Sequence, residues 1–415
     1  MSANPSRRGG RRARLAACAA VAACAVAAGC SANGAASGTA TTPGSTVSPS
    51  SSAQSTSKDD PPTIASPDSA CVTQVYHQLT LAQRVGQLFL VAVPASSLAG
   101  PATVQALDAY HFGSVLLPKT AVGTAALASA TAAIQALAPT ATGGVRFLVA
   151  ANQEGGEIQQ LSGPGFEVMP SELVQGTWTD SALRAQAQTW GSELRAAGVN
   201  LNLAPVMDVV PEATAASNAP IGALDREFGY DPQTNGEHGI AFVQGMASAG
   251  VASVVKHFPG LGRVTGNTDF TSDVVDTVTT ADDPNLDSFR AVIDAGVPYV
   301  MVAEATYTKI DPSQLAVFSP VIMQLLRSGL GFKGVILSDD LGEAAAVASV
   351  PAARRAIDFL NAGGDLITSQ DLGPAGQMAA AVLAEASSDG AFRTIVDDAA
   401  ERVLAAKQAQ GLLSC

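Results

Sequence analysis

The sequence predicts an α/β fold, a single (β/α)8 barrel of the TIM type, and three observations carry that expectation. Eight short apolar or β-branched runs alternate with helix-like stretches between Cys71 and Cys415. Glycine follows the last periodic residue of several of those stretches, where a left-handed cap belongs. Polar motifs follow nearly every apolar run. Continuous apolar runs of this length suit parallel strands buried on both faces. An open doubly wound sheet is the alternative, but a barrel gathers all the polar strand ends at one mouth.

The strands are expected at 87–93, 114–117, 146–150, 200–204, 252–255, 299–303, 335–338 and 365–368. Helices are expected at 181–197, 233–249, 286–295 and 353–362, stopped by Gly198, Gly250, Gly296 and Gly363. No linker or low-complexity break interrupts 71–415, so this stretch reads as one domain.

Composition supports a folded enzyme. Hydrophobic residues make up 47 % and charged residues 14 %, a core-building profile rather than a disordered one. The net charge is −13, and Arg7, Arg8, Arg11, Arg12 and Arg14 all lie at the extreme N-terminus, so the rest is more acidic still. Such a body repels phosphate backbones, which argues against a nucleic-acid partner.

The arginines precede an apolar run at 15–28, shorter than the roughly 20 residues of a spanning helix. The run ends in Ala27-Ala28-Gly29-Cys30, small residues before a cysteine, so 1–29 reads as a lipoprotein signal peptide with Cys30 as the lipidated residue. Ordinary secretion is the simpler alternative. Residues 30–70 hold Ser, Thr, Ala, Gly and Pro with few large apolar side chains and read as a flexible tether. The expected location is extracytoplasmic, membrane-anchored or secreted. Cys71 and Cys415, at the two ends of the globular part, form an even pair expected to bridge in an exported protein.

Placed on a barrel, the polar motifs form a constellation. Strand three runs into Asn152-Gln153-Glu154-Gly155-Gly156, strand four into Asp208, and strand five into Lys256-His257-Phe258-Pro259-Gly260. Glu304 follows strand six, Asp339-Asp340 follow strand seven, and Ser369 follows strand eight. His238 precedes this region. No Cys/His cluster has metal spacing and no glycine-rich phosphate loop follows a strand, so neither metal nor cofactor is expected.

These words, in this order, resemble glycoside hydrolase family 3. Val85-Gly86-Gln87-Leu88-Phe89 looks like its opening, and Gln153-Glu154-Gly155-Gly156 with Gly163-Pro164-Gly165-Phe166 its strand-three loop. Ala204-Pro205-Val206-Met207-Asp208-Val209 looks like its fourth strand, and Arg226-Glu227-Phe228-Gly229-Tyr230-Asp231-Pro232 its turn before a helix. Val255-Lys256-His257-Phe258-Pro259-Gly260 is the most distinctive match. Gly334-Val335-Ile336-Leu337-Ser338-Asp339-Asp340-Leu341 resembles the nucleophile strand. The length is similar to that of the single-domain β-N-acetylhexosaminidase branch.

The resemblance implies a carbohydrate substrate, a monomer and a retaining two-step reaction on terminal β-linked N-acetylhexosamine from cell-wall-derived glycosides. Asp339 would be the nucleophile, forming a glycosyl ester that water then cleaves. Lys256, His257, Arg226 and Asn152 would hold the sugar, with Asp208 and Gln160 in support. The simpler readings are a helix N-cap for Asp339, an internal salt bridge to Asp208 for Lys256 and His257, and a loop ion pair for Arg226. Glu154 reads as structural, and Asp340 as a cap or supporting residue.

The chain departs from the family pattern in three places. Leu261 stands where the family has the histidine of its Pro-Gly-His. Asn267-Thr268-Asp269 stands where it has the Asp-Ser/Thr-His general acid/base. Asn152 replaces an aspartate and Gln160 an arginine. Asp269 is therefore the candidate acid/base, with Glu304 second. The changed subsite leaves two alternatives open: another β-glycosidase such as a β-glucosidase, or a catalytically weakened sugar-binding lipoprotein.

Overall fold

The computed structural model describes Ser66 and residues 69–415. The expected leader at 1–29, Cys30 and most of the expected tether lie outside the described residues.

Eight parallel strands close into a barrel. They are β1 (Phe89–Ala92), β2 (Ser114–Leu116), β3 (Leu148–Ala151), β4 (Leu201–Asn202), β5 (Ala252–Phe258), β6 (Tyr299–Val302), β7 (Val335–Asp340) and β8 (Leu366–Ser369). Each pairs with the next in sequence, and β1 returns to β8 in register Phe89↔Ile367. Every β1 residue is buried, and so is every residue of β5. That two-sided burial is why these strands read as unbroken apolar runs.

All eight expected strands are present, with shifted ends. β4 is shorter than the run at 200–204 because asparagine side chains replace part of its ladder. Asn200 Oδ1 accepts from the Val149 N–H at 2.9 Å and its amide donates to the Phe147 carbonyl. Asn202 does the same to both backbone groups of Gln153. β5 runs longer than expected and carries Lys256 and His257 within the sheet.

The expected helices form at Asp180–Ala196, Pro232–Ser248, Asp287–Asp294 and Ala352–Ala362. Thr179 caps the first and Asp231, followed by Pro232, caps the second. Both are the residue types that satisfy free N–H groups at a helix start. Gly363 ends the last at φ 110°, in the left-handed region. No α-helix follows Asp339 directly, so it is not an N-cap.

The two ends of the domain lie together. Helix Ala70–Gln78 packs Val72, Val75 and Leu79 against Leu404 of the last helix, Gly390–Ala409. Ser69 donates to Gln408 at 2.6 Å. Cys71 and Cys415 are joined by a disulfide, with Cα atoms 5.6 Å apart. The last helix also sends Lys407 into the base of the barrel, where Nζ donates to Gln87 Oε1 and to the Gly113 carbonyl. Burial lowers that ammonium to about 7.

The bridge closes a loop that spans the whole domain, so its removal frees the unfolded chain substantially. A Cys71→Ser/Cys415→Ser variant is expected to lose about 2–5 kcal/mol. Thermal unfolding beside the wild type measures this, and an unchanged midpoint would show that the bridge does not stabilise the domain.

Candidate active site

The strand ends converge on a cavity of about 270 Å³ lined by Asn152, Glu154, Gln160, Arg226, Lys256, His257, Asp269, Asp339 and Asp340, among others. The expected nucleophile, cations and acid therefore share one cavity.

Glu154 forms the floor. It follows β3 and is fully buried, and its carboxylate grips two cations. Arg226 approaches as a fork, Nε to Oε2 at 2.8 Å and Nη2 to Oε1 at 2.9 Å, while Nη1 donates to the Pro220 carbonyl. Lys256 Nζ lies 2.6 Å from Glu154 Oε1 and donates to Asn152 Oδ1 at 2.8 Å. Burial pushes the Glu154 carboxyl up, but Arg226 and Lys256 outweigh it and bring it down to about 2. Gly155 and Gly156 let the chain turn here at φ 117° and 55°. A side chain on Gly155 would place Cβ 2.0 Å from the Pro170 carbonyl oxygen.

The simpler reading of an internal pair with Asp208 holds for His257 and not for Lys256. Lys256 pairs with Glu154 rather than Asp208, because Asp208 is committed to His257. Asp208 Oδ2 lies 2.8 Å from His257 Nδ1, and Oδ1 accepts from the His257 and Leu261 N–H groups. A carboxylate only accepts, so Nδ1 carries the proton and Nε2 is left to accept on the cavity side. Arg226 makes an ion pair and lines the cavity at once, so the two readings of it are not exclusive.

Asp339 stands at the end of β7, half-buried, with Oδ1 accepting from the Asp340 N–H at 3.0 Å. Asp340 beside it is tied down. Its oxygens accept from the N–H groups of Gly342, Glu343 and Gln370. Burial outweighs those bonds and raises its carboxyl to about 6.

Asp269 faces Asp339 from a loop docked onto the segment after β7. The Ala345 N–H donates to the Asp269 carbonyl and the Ala346 N–H to that of Thr268. Asn267 organises the turn, accepting from the Asp269 N–H at 2.9 Å. Asn218 holds the near end of the same loop by donating to the carbonyls of Leu261 and Val264. Asp269 is reached by solvent, yet the concave wall strips part of its hydration. That loss, then the charge of Asp339, raises its carboxyl above the ordinary range.

Two expectations, Glu304 and Ser369, need correction. Glu304 does not line the cavity. It is 0 % exposed between buried Ala303 and Ala305, and neither oxygen has a hydrogen-bond partner among the described residues. Burial, then Asp339, Asp340 and Asp269, raise it well above the carboxylate range. Ser369 donates to the Asp371 carbonyl, and its neighbour Gln370 lines the cavity instead. His238 lies outside the site, bonded through its ring nitrogens to the carbonyls of Thr234 and Trp178.

Sequence reasoning missed Glu172 and Phe270. Glu172 accepts the Val206 N–H on both oxygens behind Glu154, and burial with the charge of Glu154 raises it well above its usual range. No motif marks it. Phe270 lines the cavity, and its only signal is adjacency to Asp269. Among the described residues, no group of three or more His, Cys, Asp or Glu side chains could hold a metal ion.

The model of the glycosyl hydrolase family 3 N-terminal domain matches residues 80–406, most of the chain. The chain belongs to glycosyl hydrolase family 3. It is accordingly a glycoside hydrolase, built as the (β/α)8 barrel its sequence predicts. It is 37 % identical over 265 residues to a beta-hexosaminidase of Xanthomonas campestris, covering 61 % of this chain and 76 % of that one. A crystal structure of a beta-N-acetylhexosaminidase from Beutenbergia cavernae superposes with a TM-score of 0.78 at 50 % identity, over 80 % of this chain and 99 % of that one. A family 3 beta-N-acetylglucosaminidase from Paenibacillus matches with a TM-score of 0.72 at 28 % identity, over 80 % of this chain and 63 % of the other.

The Glu154 cluster is testable by stability. Its carboxyl lies below the ordinary 4.5 in the folded state, so its contribution is present above that pH and is lost as pH falls towards 2. At pH 7 Glu154→Gln is expected to cost on the order of 3 kcal/mol, since it strands two cations. Denaturant unfolding should show the gap between the proteins narrowing below pH 4.5. A gap that is constant with pH would mean that the ion cluster is not what stabilises this region.

Proposed function

We propose that this family 3 hydrolase is an exo-acting β-N-acetylhexosaminidase, releasing terminal β-linked N-acetylglucosamine from cell-wall-derived glycosides with retention through a glycosyl-Asp339 ester. The observation that carries this reading is the pairing of Asp339 and Asp269 in one cavity, opposite the cations Lys256 and Arg226 held by Glu154. The names of the Xanthomonas and Beutenbergia relatives support the choice of sugar. The cavity lies at the small end of ligand pockets, which run from roughly 300 to 1,000 Å³, and so suits one sugar at a time.

In the first step Asp339 attacks the anomeric carbon while Asp269, its carboxyl raised by lost hydration and by the charge of Asp339, gives its proton to the leaving oxygen. In the second step Asp269 takes a proton from water, which attacks the anomeric carbon of the glycosyl ester and frees the Asp339 carboxylate. Lys256, His257 and Asn152 orient the sugar hydroxyls. The Asp269 carboxylic acid does directly what the family's Asp–His pair does on its loop.

A fluorinated glycosyl donor that slows the second step tests the nucleophile. A covalent adduct on the peptide bearing Asp339 supports the reading, whereas saturable binding without adduct or turnover points to a sugar-binding protein. Asp339→Asn is expected to abolish turnover of an aryl β-N-acetylglucosaminide. Asp269→Asn should cost about 10²- to 10⁴-fold on a poor leaving group and far less on an activated one. Because Asp269 acts protonated and its carboxyl is raised, it should set the alkaline limb of kcat/KM. That limb should vanish in Asp269→Asn; an unchanged profile would remove Asp269 from the reaction.

We also propose that residues 1–29 direct export and that Cys30 carries a lipid anchor, with the barrel tethered by residues 30–70. A Cys30→Ala precursor should leave the membrane fraction, and unchanged fractionation would refute the anchor.

A further inference from the structure

We propose that Phe270 is the platform for the leaving group, so that the enzyme selects glycosides whose leaving group is itself a sugar ring. The inference rests on the glycosidase reading of Asp339 and Asp269.

Phe270 is 82 % exposed and lines the cavity. Single exposed apolar residues are ordinary. Yet of the large apolar side chains that stand exposed among the described residues, Phe270 alone borders the cavity. Its position follows from the chemistry. A proton donor must lie within hydrogen-bond reach of the leaving oxygen, so the leaving group is held beside Asp269. Phe270 is the next residue, about 3.8 Å further along the chain.

The ring is presented on a held backbone. The Phe270 N–H donates to the Asn267 carbonyl at 3.1 Å, and the two preceding carbonyls accept from Ala346 and Ala345. A phenyl ring turns about only two side-chain bonds, so it offers apolar area at little ordering cost. The C–H face of a pyranose covers such a ring, whereas a small or charged leaving group gains nothing from it. Polar Glu154, Lys256, His257 and Asp339 line the same cavity, and apolar Leu224 and Ile158 line it together with Phe270.

The test compares N,N′-diacetylchitobiose with N-acetyl-β-glucosaminyl fluoride. Phe270→Ala should lower kcat/KM for the disaccharide roughly tenfold more than for the fluoride, and Phe270→Trp should restore the ratio. Equal losses on both substrates, or a loss on neither, would overturn the proposal. Binding supplies an arm that needs no turnover. In an Asp339→Asn background, Phe270→Ala should weaken the disaccharide by roughly tenfold relative to free N-acetylglucosamine, measured by calorimetry. An unchanged ratio would overturn the platform even if the wild type cleaved both donors. A wild type that cleaved neither donor, with the binding ratio still lost, would sink the glycosidase reading and leave the platform standing.

Discussion

The site depends on one buried carboxylate with two cations. Glu154 is fully enclosed, a position that disfavours its charged form, and only Arg226 and Lys256 together reverse that preference. The three residues come from the loop after β3, the turn before helix Pro232–Ser248, and β5 itself. One ion cluster therefore fixes the mutual position of three separate segments. Removing any member leaves a buried charge uncompensated, which costs more than the pair itself contributes. The cations keep enough reach to line the cavity because Glu154 sits below them. The Arg226 fork spends two of its donor groups on that carboxylate, and the planar guanidinium loses little freedom in doing so.

The carboxyl groups around this floor divide by environment. Glu154 meets cations and is held ionised. Asp340 collects three backbone N–H groups but still rises to about 6 under burial. Glu304 accepts no hydrogen bond among the described residues, and burial with the charges of Asp339, Asp340 and Asp269 raises it well above the carboxylate range. Asp269 shares Glu304's exposure to the charge of Asp339 but lines the cavity, which Glu304 does not. Only a raised carboxyl on the cavity wall is placed to meet a ligand. Location, rather than the direction of the shift, separates their roles.

Much of this was legible from residue order. The eight strands showed because parallel strands buried on both faces must be apolar throughout, and Gly363 marked a helix end because its left-handed backbone is costly for other residues. Asp339, Lys256 and His257 stood at strand ends, where barrel chemistry sits, and Arg226 stood in a turn motif that resembles the family's. Pairings were less visible. The choice of Glu154 over Asp208 as the partner of Lys256 depends on distances set by barrel closure, and nothing in the local sequence records it. Glu304 was misplaced for the same reason, since position after a strand does not tell whether a side chain enters the mouth or the wall. β4 came out short because Asn200 and Asn202 trade ladder bonds for side-chain bonds, a choice that β propensity does not register.

The loop carrying Asp269 shows how a lost histidine can be absorbed. In the family pattern an Asp orients a His, and the His moves the proton. In this chain Asn267 stands at the orienting position and still orients, but it does so by accepting the Asp269 N–H and shaping the turn. Thr268 is buried, and its carbonyl and that of Asp269 are tied to the segment after the nucleophile strand. A carboxyl on a short stem has less reach than an imidazole, so the backbone itself must be brought to the cavity. The bonds from Ala345 and Ala346 do that. Leu261, where the other family histidine would stand, donates its N–H to Asp208, and Asp208 in turn aligns His257. The substitutions thus keep the scaffold's hydrogen bonds while replacing an imidazole with a carboxyl whose acidity is set by lost hydration and by the nucleophile's own charge. Such an acid is strongest once that charge is spent in the glycosyl ester. At that stage the proposed mechanism has it ionised, as the base that takes a proton from water.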